Sequence, residues 1–168
     1  SNAMAYNEAN GTQAISKGEH LSTNSLIREL WKDCYQGIGR TNTFLDKIDG
    51  VTMDDALRSR MTGEAKFLRA FYYFNLVDKF GGVPLILETP NADKQANLPR
   101  DTKDAVVDQV LKDLTEAALL LPNSYSGNDL GRVTKGAALS LKARVLLYNE
   151  RWSEAAKIAK EVMDLGVY

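Results

Sequence analysis

Acidic side chains are the first candidates for chemistry in this sequence. Asp54 and Asp55 are adjacent, and Glu64 follows nine residues after Asp55. Paired carboxylates can act as general acid and general base when the fold brings them together. The same residues are also typical of a helix start, where they satisfy free amides and complement the helix dipole. We therefore interpret Asp54 and Asp55 as first-turn residues and Glu64 as a residue on a helix surface.

Nucleophilic and metal chemistry have few candidates. The chain contains one cysteine, Cys34, and one histidine, His20. Cys34 falls on an apolar stripe with no histidine at a useful spacing, so we predict a buried structural thiol. A single histidine also removes most metal-ligand sets. We predict no catalytic residues, no metal site and no cofactor, and the sequence assigns no ligand-binding residue.

Glycine and aromatic pairs are the remaining candidates for binding. A phosphate loop follows a strand and opens a helix, whereas Gly81-Gly82 follows a helical pattern and precedes Pro84. Trp31 and Tyr35 lie one helical turn apart and could stack on a sugar, although packing against another helix is the favoured interpretation. Tyr6 and Tyr125 are predicted in loops, where they are freer to contact a ligand.

Composition places the chain among ordinary globular proteins. It has 168 residues, of which 44% are hydrophobic and 26% charged, enough for one domain with a substantial core. A net charge of -1 excludes the electrostatic footprint of a nucleic-acid binder. No apolar run reaches the ~18 residues that a membrane span needs. Residues 1–3 resemble the remnant of a removed expression tag, so we assign residues 4–168 to a single helical domain.

The spacing of apolar residues predicts an all-α chain. Apolar residues recur in steps of three and four, which is typical of helices with one buried face. No strand pattern occurs. The predicted helices cover about 24–48, 53–80, 103–121, 135–149 and 154–165.

Polar residues predict where these helices start. Thr52, Thr102, Thr134 and Ser153 precede the second to fifth helices and are predicted N-caps. The region from 85 to 100 contains two prolines and is predicted to be extended, and 122–131 is predicted to be a loop.

The second helix carries rings on two sides. The stretch GEAKFLRAFYYFNLVDKFGGVPLI begins at Gly63. At 100° per residue, one face carries Phe67, Phe71 and Phe74, and a face roughly opposite carries Leu68, Tyr72 and Leu76. Such a helix is typically buried on both sides. We therefore predict that these rings are core residues rather than the lining of a ligand site.

The last two helices resemble a tetratricopeptide repeat. Small residues at Ala143 and Ala155 would let the helices approach closely, and Trp152 precedes the second helix. Lys142 departs from the repeat, which usually has a large apolar residue there. We predict antiparallel helix pairs in a repeat-like array.

Four stretches, which together span residues 31–168, carry a family resemblance. In chain order they are WKDCYQGIGRTNTFLDKI, the segment that begins at Gly63, VVDQVLKDLTEAALLLP, and GRVTKGAALSLKARVLLYNERWSEAAKIAKEVMDLGVY. Together they resemble the SusD/RagB family of outer-membrane nutrient-binding lipoproteins. The first resembles the family's first long helix, with Asn42 in the family's usual place, and the second is similar to its signature helix. The third resembles the family's third helix, and the fourth its repeat-like pair.

The resemblance implies a non-catalytic receptor on the cell surface. Such a SusD-like lipoprotein of the outer membrane captures glycans or peptides and passes them to a TonB-dependent transporter, the SusC-like partner. Family members are considerably longer, and Cys34 lies mid-helix, where it cannot serve as the lipidated N-terminal cysteine. We therefore expect this chain to be the helical N-terminal portion of a larger protein. The alternative is a stand-alone helical-repeat adaptor that binds a protein partner, and an enzyme fragment is disfavoured.

Overall fold

The computed structural model describes residues 15, 17–19, 21 and 23–167. In this part of the chain the regular secondary structure is helical and no strand occurs. The all-α prediction is therefore confirmed. Tyr6, His20 and residues 1–3, which were considered above, lie outside the described residues.

Six α-helices are described. They are α1 (Ser25–Lys47), α2 (Asp55–Phe80), α3 (Ala92–Gln95), α4 (Lys103–Leu120), α5 (Lys135–Tyr148) and α6 (Trp152–Asp164). Two 3₁₀ turns, Ile48–Gly50 and Gly127–Asp129, lie between them. The five long helices agree with the predicted ones to within about two residues.

The one-turn helix α3 corrects the prediction of an uninterrupted extended connection. Its start is stabilised by two reciprocal contacts. The side chain of Asn91 accepts a hydrogen bond from the Lys94 amide at 3.1 Å, and the side chain of Gln95 accepts one from the Asn91 amide at 2.9 Å. This is a local capping arrangement, which a search for long apolar stripes does not detect.

Two of the four predicted caps are wrong. Thr102 and Thr134 are confirmed, since each hydroxyl accepts a hydrogen bond from an amide three residues later. In α2 the cap is Asp54 rather than Thr52, because its carboxylate accepts from the Leu57 amide at 2.9 Å. Helix α6 begins at Trp152, before Ser153, and has no side-chain cap.

The chain divides into two compact units between Gln36 and Gly37. In the first unit, Cys34 is buried, as predicted, and burial raises the pKa of its thiol, as does the charge of Asp33 to a lesser extent. The rings of Trp31 and Tyr35 contact each other with centroids 5.1 Å apart.

Helix α4 is central to the second unit. It packs against both α2 and α5, and α5 packs against α6. Gly63 brings α2 close to the end of α4, because a Cβ atom there would lie 3.0 Å from side-chain atoms of Leu120 and Leu121. The fully buried residues of this unit include Tyr73, Leu76, Val106, Val110, Leu114, Val145 and Leu146.

The prediction that both ring faces of α2 are buried is wrong in part. Phe74 and Leu76 are buried, at 8% and 0% exposure. Phe71 and Leu68 remain exposed, at 43% and 40%. Tyr73 belongs to neither predicted face, since at 100° per residue it lies between them, and it is fully buried. The side of α2 that faces α4 is therefore centred between the two predicted faces.

A buried polar network joins α1, α2 and α4. The Arg69 guanidinium donates two hydrogen bonds to the Asp113 carboxylate, from Nε and Nη2, each 2.8 Å long. Its Nη1 donates to the side-chain oxygen of Asn42 at 3.0 Å. Gln109 also donates to Asp113, at 3.1 Å. Arg69 and Asp113 are 7% and 1% exposed, so this is a bidentate pair inside the core.

The same network fixes the chain that follows α2. The Asn42 amide donates to the carbonyl oxygens of Ile86 and Glu88, at 2.8 and 2.9 Å. The Tyr73 hydroxyl donates to the Ile86 carbonyl and accepts from the Ile86 amide. Burial raises the pKa of Tyr73 well above its usual range, so the hydroxyl stays protonated and keeps donating. The extended segment is thereby attached to two helices.

We expect a contrast between two phenylalanines of α2 in the 168-residue chain. Phe74→Ala should lower the free energy of unfolding by roughly 3–5 kcal/mol, the usual cost of truncating a buried ring. Phe71→Ala, the matched control on the exposed side, should cost less than about 1 kcal/mol. Urea denaturation measures both values. Equal losses in the two variants would contradict the assignment of faces.

We expect the Arg69–Asp113 pair to be strongly non-additive. Arg69→Met alone should cost about 3–5 kcal/mol, because it leaves a buried carboxylate without its cation. Adding Asp113→Leu should restore part of that loss, since it removes the stranded charge. A double-mutant cycle by chemical denaturation tests this. If the losses in free energy of unfolding of the two single variants simply add in the double variant, Arg69 and Asp113 are not energetically coupled.

We expect the contact between α5 and α6 to be sensitive to size at Ala155. This residue is 6% exposed, whereas Ala143 is only half-buried. Ala155→Leu should strain the packing by roughly 1–3 kcal/mol. Ala156→Leu on the exposed side of α6 is the control. Equal melting temperatures for the wild type and Ala155→Leu would argue against close packing at this position.

Candidate functional site

An open polar cleft lies beside the buried network. Its volume is about 610 Å³, which is within the usual range for a ligand site. It is formed between the end of α1, the middle of α2 and the segment that leads into α3. The lining residues are Asn42, Leu45, Asp46, Lys66, Arg69, Leu87, Glu88, Thr89, Asn91 and Lys94.

Most of the cleft's polar groups already have partners. Lys66 forms an ion pair with Glu116 at 2.6 Å, and Asp46 accepts a hydrogen bond from the Thr89 hydroxyl at 3.2 Å. Arg69 is neutralised by Asp113. The cationic side chains of the lining are thus largely balanced by nearby carboxylates. The cleft offers mixed donors and acceptors rather than a site for a strongly charged ligand.

Among the described residues, no aromatic side chain lines the cleft. Leu45 and Leu87 are the apolar residues of this lining, and Leu87 is 40% exposed. Sugar recognition typically uses an aromatic platform surrounded by converging polar groups. As described, the cleft supplies the polar groups alone.

The exposed rings lie away from the cleft. In the described residues, Phe71, Tyr148 and Trp152 are 43%, 57% and 60% exposed, and none of them lines the cleft. Tyr148 lies against Phe74, with ring centroids 5.7 Å apart. It lines a small hollow of about 60 Å³ beside α2, well below the usual volume of a ligand site.

A second polar cluster surrounds Tyr125. The guanidinium of Arg60 lies 5.9 Å from the ring centroid, and Asp129 pairs with Arg60 at 3.1 Å. Arg132 also contacts both Asp129 and Glu64. The hydrogen bond from Arg132 lowers the pKa of Asp129. Because these charges pair with one another, the cluster attaches the loop at 122–131 to α2.

Tyr125 is less free than its loop position predicts. Its hydroxyl oxygen is buried and has no hydrogen-bond partner among the described residues. Burial raises the pKa of this hydroxyl. The ring is thus held in the charged cluster rather than presented to solvent.

The acidic candidates are not brought together. Asp54 caps α2, Asp55 lies 3.9 Å from Arg58, and Glu64 pairs with Arg132 at 3.3 Å. Nine residues of helix place Glu64 about 14 Å from Asp55 along the axis. Asp54 and Asp55 therefore lie at the helix start, as predicted, whereas Glu64 lies at a partly buried position of α2 with its side chain 18% exposed.

Gly81-Gly82 ends α2, as predicted. Gly81 has a φ of 68°, and its amide donates to the Val77 carbonyl at 3.0 Å. At Gly82 a Cβ atom would lie 2.1 Å from the carbonyl oxygen of Asp101. The pair therefore allows a turn and a close approach of two chain segments.

Arg69 and Asp113 were not identified as site residues from the sequence. A signal was present: Asp113 shares one helical face with Val106, Val110 and Ala117, all fully buried. Arg69 likewise lies between Ala65 and Tyr73 on a buried face. An acid and a base on the apolar faces of two helices indicate a buried pair, which apolar periodicity alone does not reveal.

Within the described residues, no group of three or more His, Cys, Asp or Glu side chains could hold a metal ion. None of the helices in that part of the chain has the length and apolar composition needed to cross a membrane.

Comparison with known proteins gives a consistent result. A family model described as starch-binding and associating with the outer membrane, SusD-like, matches residues 1–147. SusD-like protein P38 of Formosa agariphila is 33% identical over 162 residues, which are 92% of this chain and 31% of that protein. SusD-like protein P25 of the same organism is 28% identical, over 82% of this chain and 26% of its own length.

Solved structures share the fold. A laminarin-binding SusD-like protein is 39% identical, with a TM-score of 0.86 over 90% of this chain and 33% of its own. A SusD-like carbohydrate-binding protein from Bacteroides fragilis is 30% identical, with a TM-score of 0.89 over 95% of this chain and 31% of its own.

The chain thus spans between about a quarter and a third of the length of these relatives. Its family match extends over most of its residues, and the matched region contains the buried network and the cleft. The chain belongs to the SusD-like family.

Proposed function

We propose that this chain is the helical scaffold of a longer, non-catalytic receptor that binds a glycan at the outer membrane. Membership of the SusD-like family over residues 1–147 carries this proposal. Relatives that bind laminarin or carbohydrate, at 39% and 30% identity, support a glycan rather than a peptide as the ligand.

The geometry of the cleft supports binding without catalysis. Its carboxylates are Asp46 and Glu88, and Asp46 already accepts a hydrogen bond from Thr89. Arg69 is held by a bidentate pair and cannot move toward a reacting atom without breaking that pair. A glycan platform would have to come from other residues of the receptor, because none of the described residues that line the cleft is aromatic.

The partner in this proposal is a TonB-dependent transporter, and the location is the cell surface, where the receptor is anchored as a lipoprotein. Stacked helix pairs present extended faces that suit a protein partner. The helices α4, α5 and α6 form such a stack. A stand-alone adaptor has no specific observation in its favour.

We expect glycan binding to require the longer protein. Calorimetry with a panel of oligosaccharides, including laminarin fragments, should show micromolar binding by the full-length receptor and at best millimolar binding by the 168-residue chain. Neither the full-length receptor nor the 168-residue chain should hydrolyse the oligosaccharides, so no new reducing ends should appear. Trp152→Ala in the full-length receptor is a control that should leave the affinity unchanged. Micromolar binding by the 168-residue chain would place the site within these helices and contradict the scaffold role.

The transporter claim needs a separate assay. Full-length receptor should co-purify with the transporter encoded beside it, with and without glycan. If it does not, the receptor acts without that partner even where glycan binding is confirmed.

A further inference from the structure

One wall of the polar cleft, formed by residues 86–94, carries two charged side chains without a charged partner. Glu88 and Lys94 are exposed and line the cleft. Among the described residues, neither side chain forms an ion pair. In contrast, the two other cationic side chains of the lining each have a carboxylate partner. A ligand in the cleft therefore meets one free carboxylate and one free ammonium group on this wall.

The start of the wall is held in place by buried side chains. The Asn42 amide donates to the carbonyl oxygens of Ile86 and Glu88, at 2.8 and 2.9 Å. The Tyr73 hydroxyl bonds both the carbonyl and the amide of Ile86. Asn42 and Tyr73 are 2% and 0% exposed, so these hydrogen bonds are shielded from competing water. They fix the backbone of the residue that carries the free carboxylate.

The middle of the wall has its own contacts. The Gln95 side chain donates to the Thr89 carbonyl at 3.3 Å and accepts from the Asn91 amide at 2.9 Å. Pro90 lies close to Gly39, where a Cβ atom would be 2.9 Å from its Cγ. Connecting segments are usually more mobile than the elements they join. A segment held at both ends loses less conformational freedom when a ligand binds, and its polar side chains are already in position.

The chemistry of this wall fits a neutral sugar. A carboxylate can accept hydrogen bonds from two neighbouring hydroxyl groups of a sugar ring, and hydrogen bonds to a charged group are stronger than those between neutral groups. An ammonium group donates only, so a sugar hydroxyl can accept from Lys94. An anionic ligand would be attracted by Lys94 but repelled by Glu88.

We propose that Glu88 contacts hydroxyl groups of the glycan, and that Asn42 and Tyr73 are positioning residues that hold its backbone in place. The inference rests on the function proposed above, and it assigns polar contacts of the glycan to this wall of the cleft. The aromatic platform comes from other residues of the receptor. If the network only held the connection between α2 and α4, its loss would lower stability and leave the affinity for glycans unchanged.

The contact is tested by calorimetry of the full-length receptor with laminarin fragments and other neutral oligosaccharides. Glu88→Ala should weaken binding by about tenfold or more, because it removes hydrogen bonds to a charged acceptor. Asp93→Ala is the matched control, since Asp93 is also exposed and acidic but does not line the cleft. It should leave the affinity unchanged. Unchanged or tighter binding by Glu88→Ala would overturn the proposal.

The positioning role is tested by a double-mutant cycle in the same assay. Tyr73→Phe keeps the buried ring and removes the hydroxyl, and it should weaken binding by about threefold or more. In the Glu88→Ala background it should weaken binding no further, because it acts through Glu88. Equal losses in both backgrounds, or a lower melting temperature with unchanged affinity, would overturn this role. Gln95→Ala, at the other end of the wall, gives the same test if Tyr73→Phe fails to fold.

The outcomes separate this inference from the proposed function. If the wild-type receptor binds no oligosaccharide of the panel, the proposed function fails and the inference fails with it. If the wild type binds a glycan and Glu88→Ala binds it equally well, only the inference fails.

Discussion

The bidentate ion pair between Arg69 and Asp113 is the interaction on which the helical arrangement depends. Removing two charges from water costs several kcal/mol per ion, roughly, unless geometry and further hydrogen bonds compensate. Here the compensation comes from α1 and α4, through Asn42 and Gln109. Because each partner comes from a different part of the sequence, the pair is satisfied only when α1, α2 and α4 are together. Because apolar contacts are non-directional, the pair adds a directional constraint to the packing of these helices.

The same network also fixes the position of the extended segment after α2. An irregular segment against a core must find partners for its backbone groups. Ile86 obtains both from Tyr73, and Asn42 adds a second donor to the same carbonyl. Asn42 in turn accepts from Arg69, so the position of the segment depends on the ion pair. Glu88 and Thr89 then form one wall of the cleft. One wall of the cleft is thus positioned by the same side chains that stabilise the buried Arg69–Asp113 ion pair.

The sequence predicts the positions of the helices well, but it predicts the contacts between helices less well. Helix positions follow from local periodicity, and the caps at Thr102 and Thr134 follow from local hydrogen bonds. The error at Thr52 arose because Asp54, two residues later, competes for the same role. The Arg69–Asp113 pair was missed because it joins residues 44 positions apart, and no local pattern specifies such a pairing. The cleft could not be predicted either, since it depends on that pairing.

The exposed side of α2 shows a second limit of prediction from the sequence. Periodicity shows that a helix has two apolar faces, but it does not show which part of a protein covers each of them. Phe74 and Phe71 are three residues apart, have identical side chains and differ in exposure from 8% to 43%. Their environments differ because α4 lies on one side and no described residue fully covers the other. The exposure of an apolar helix face therefore depends on the whole folded protein, and the periodicity of one helix does not contain that information.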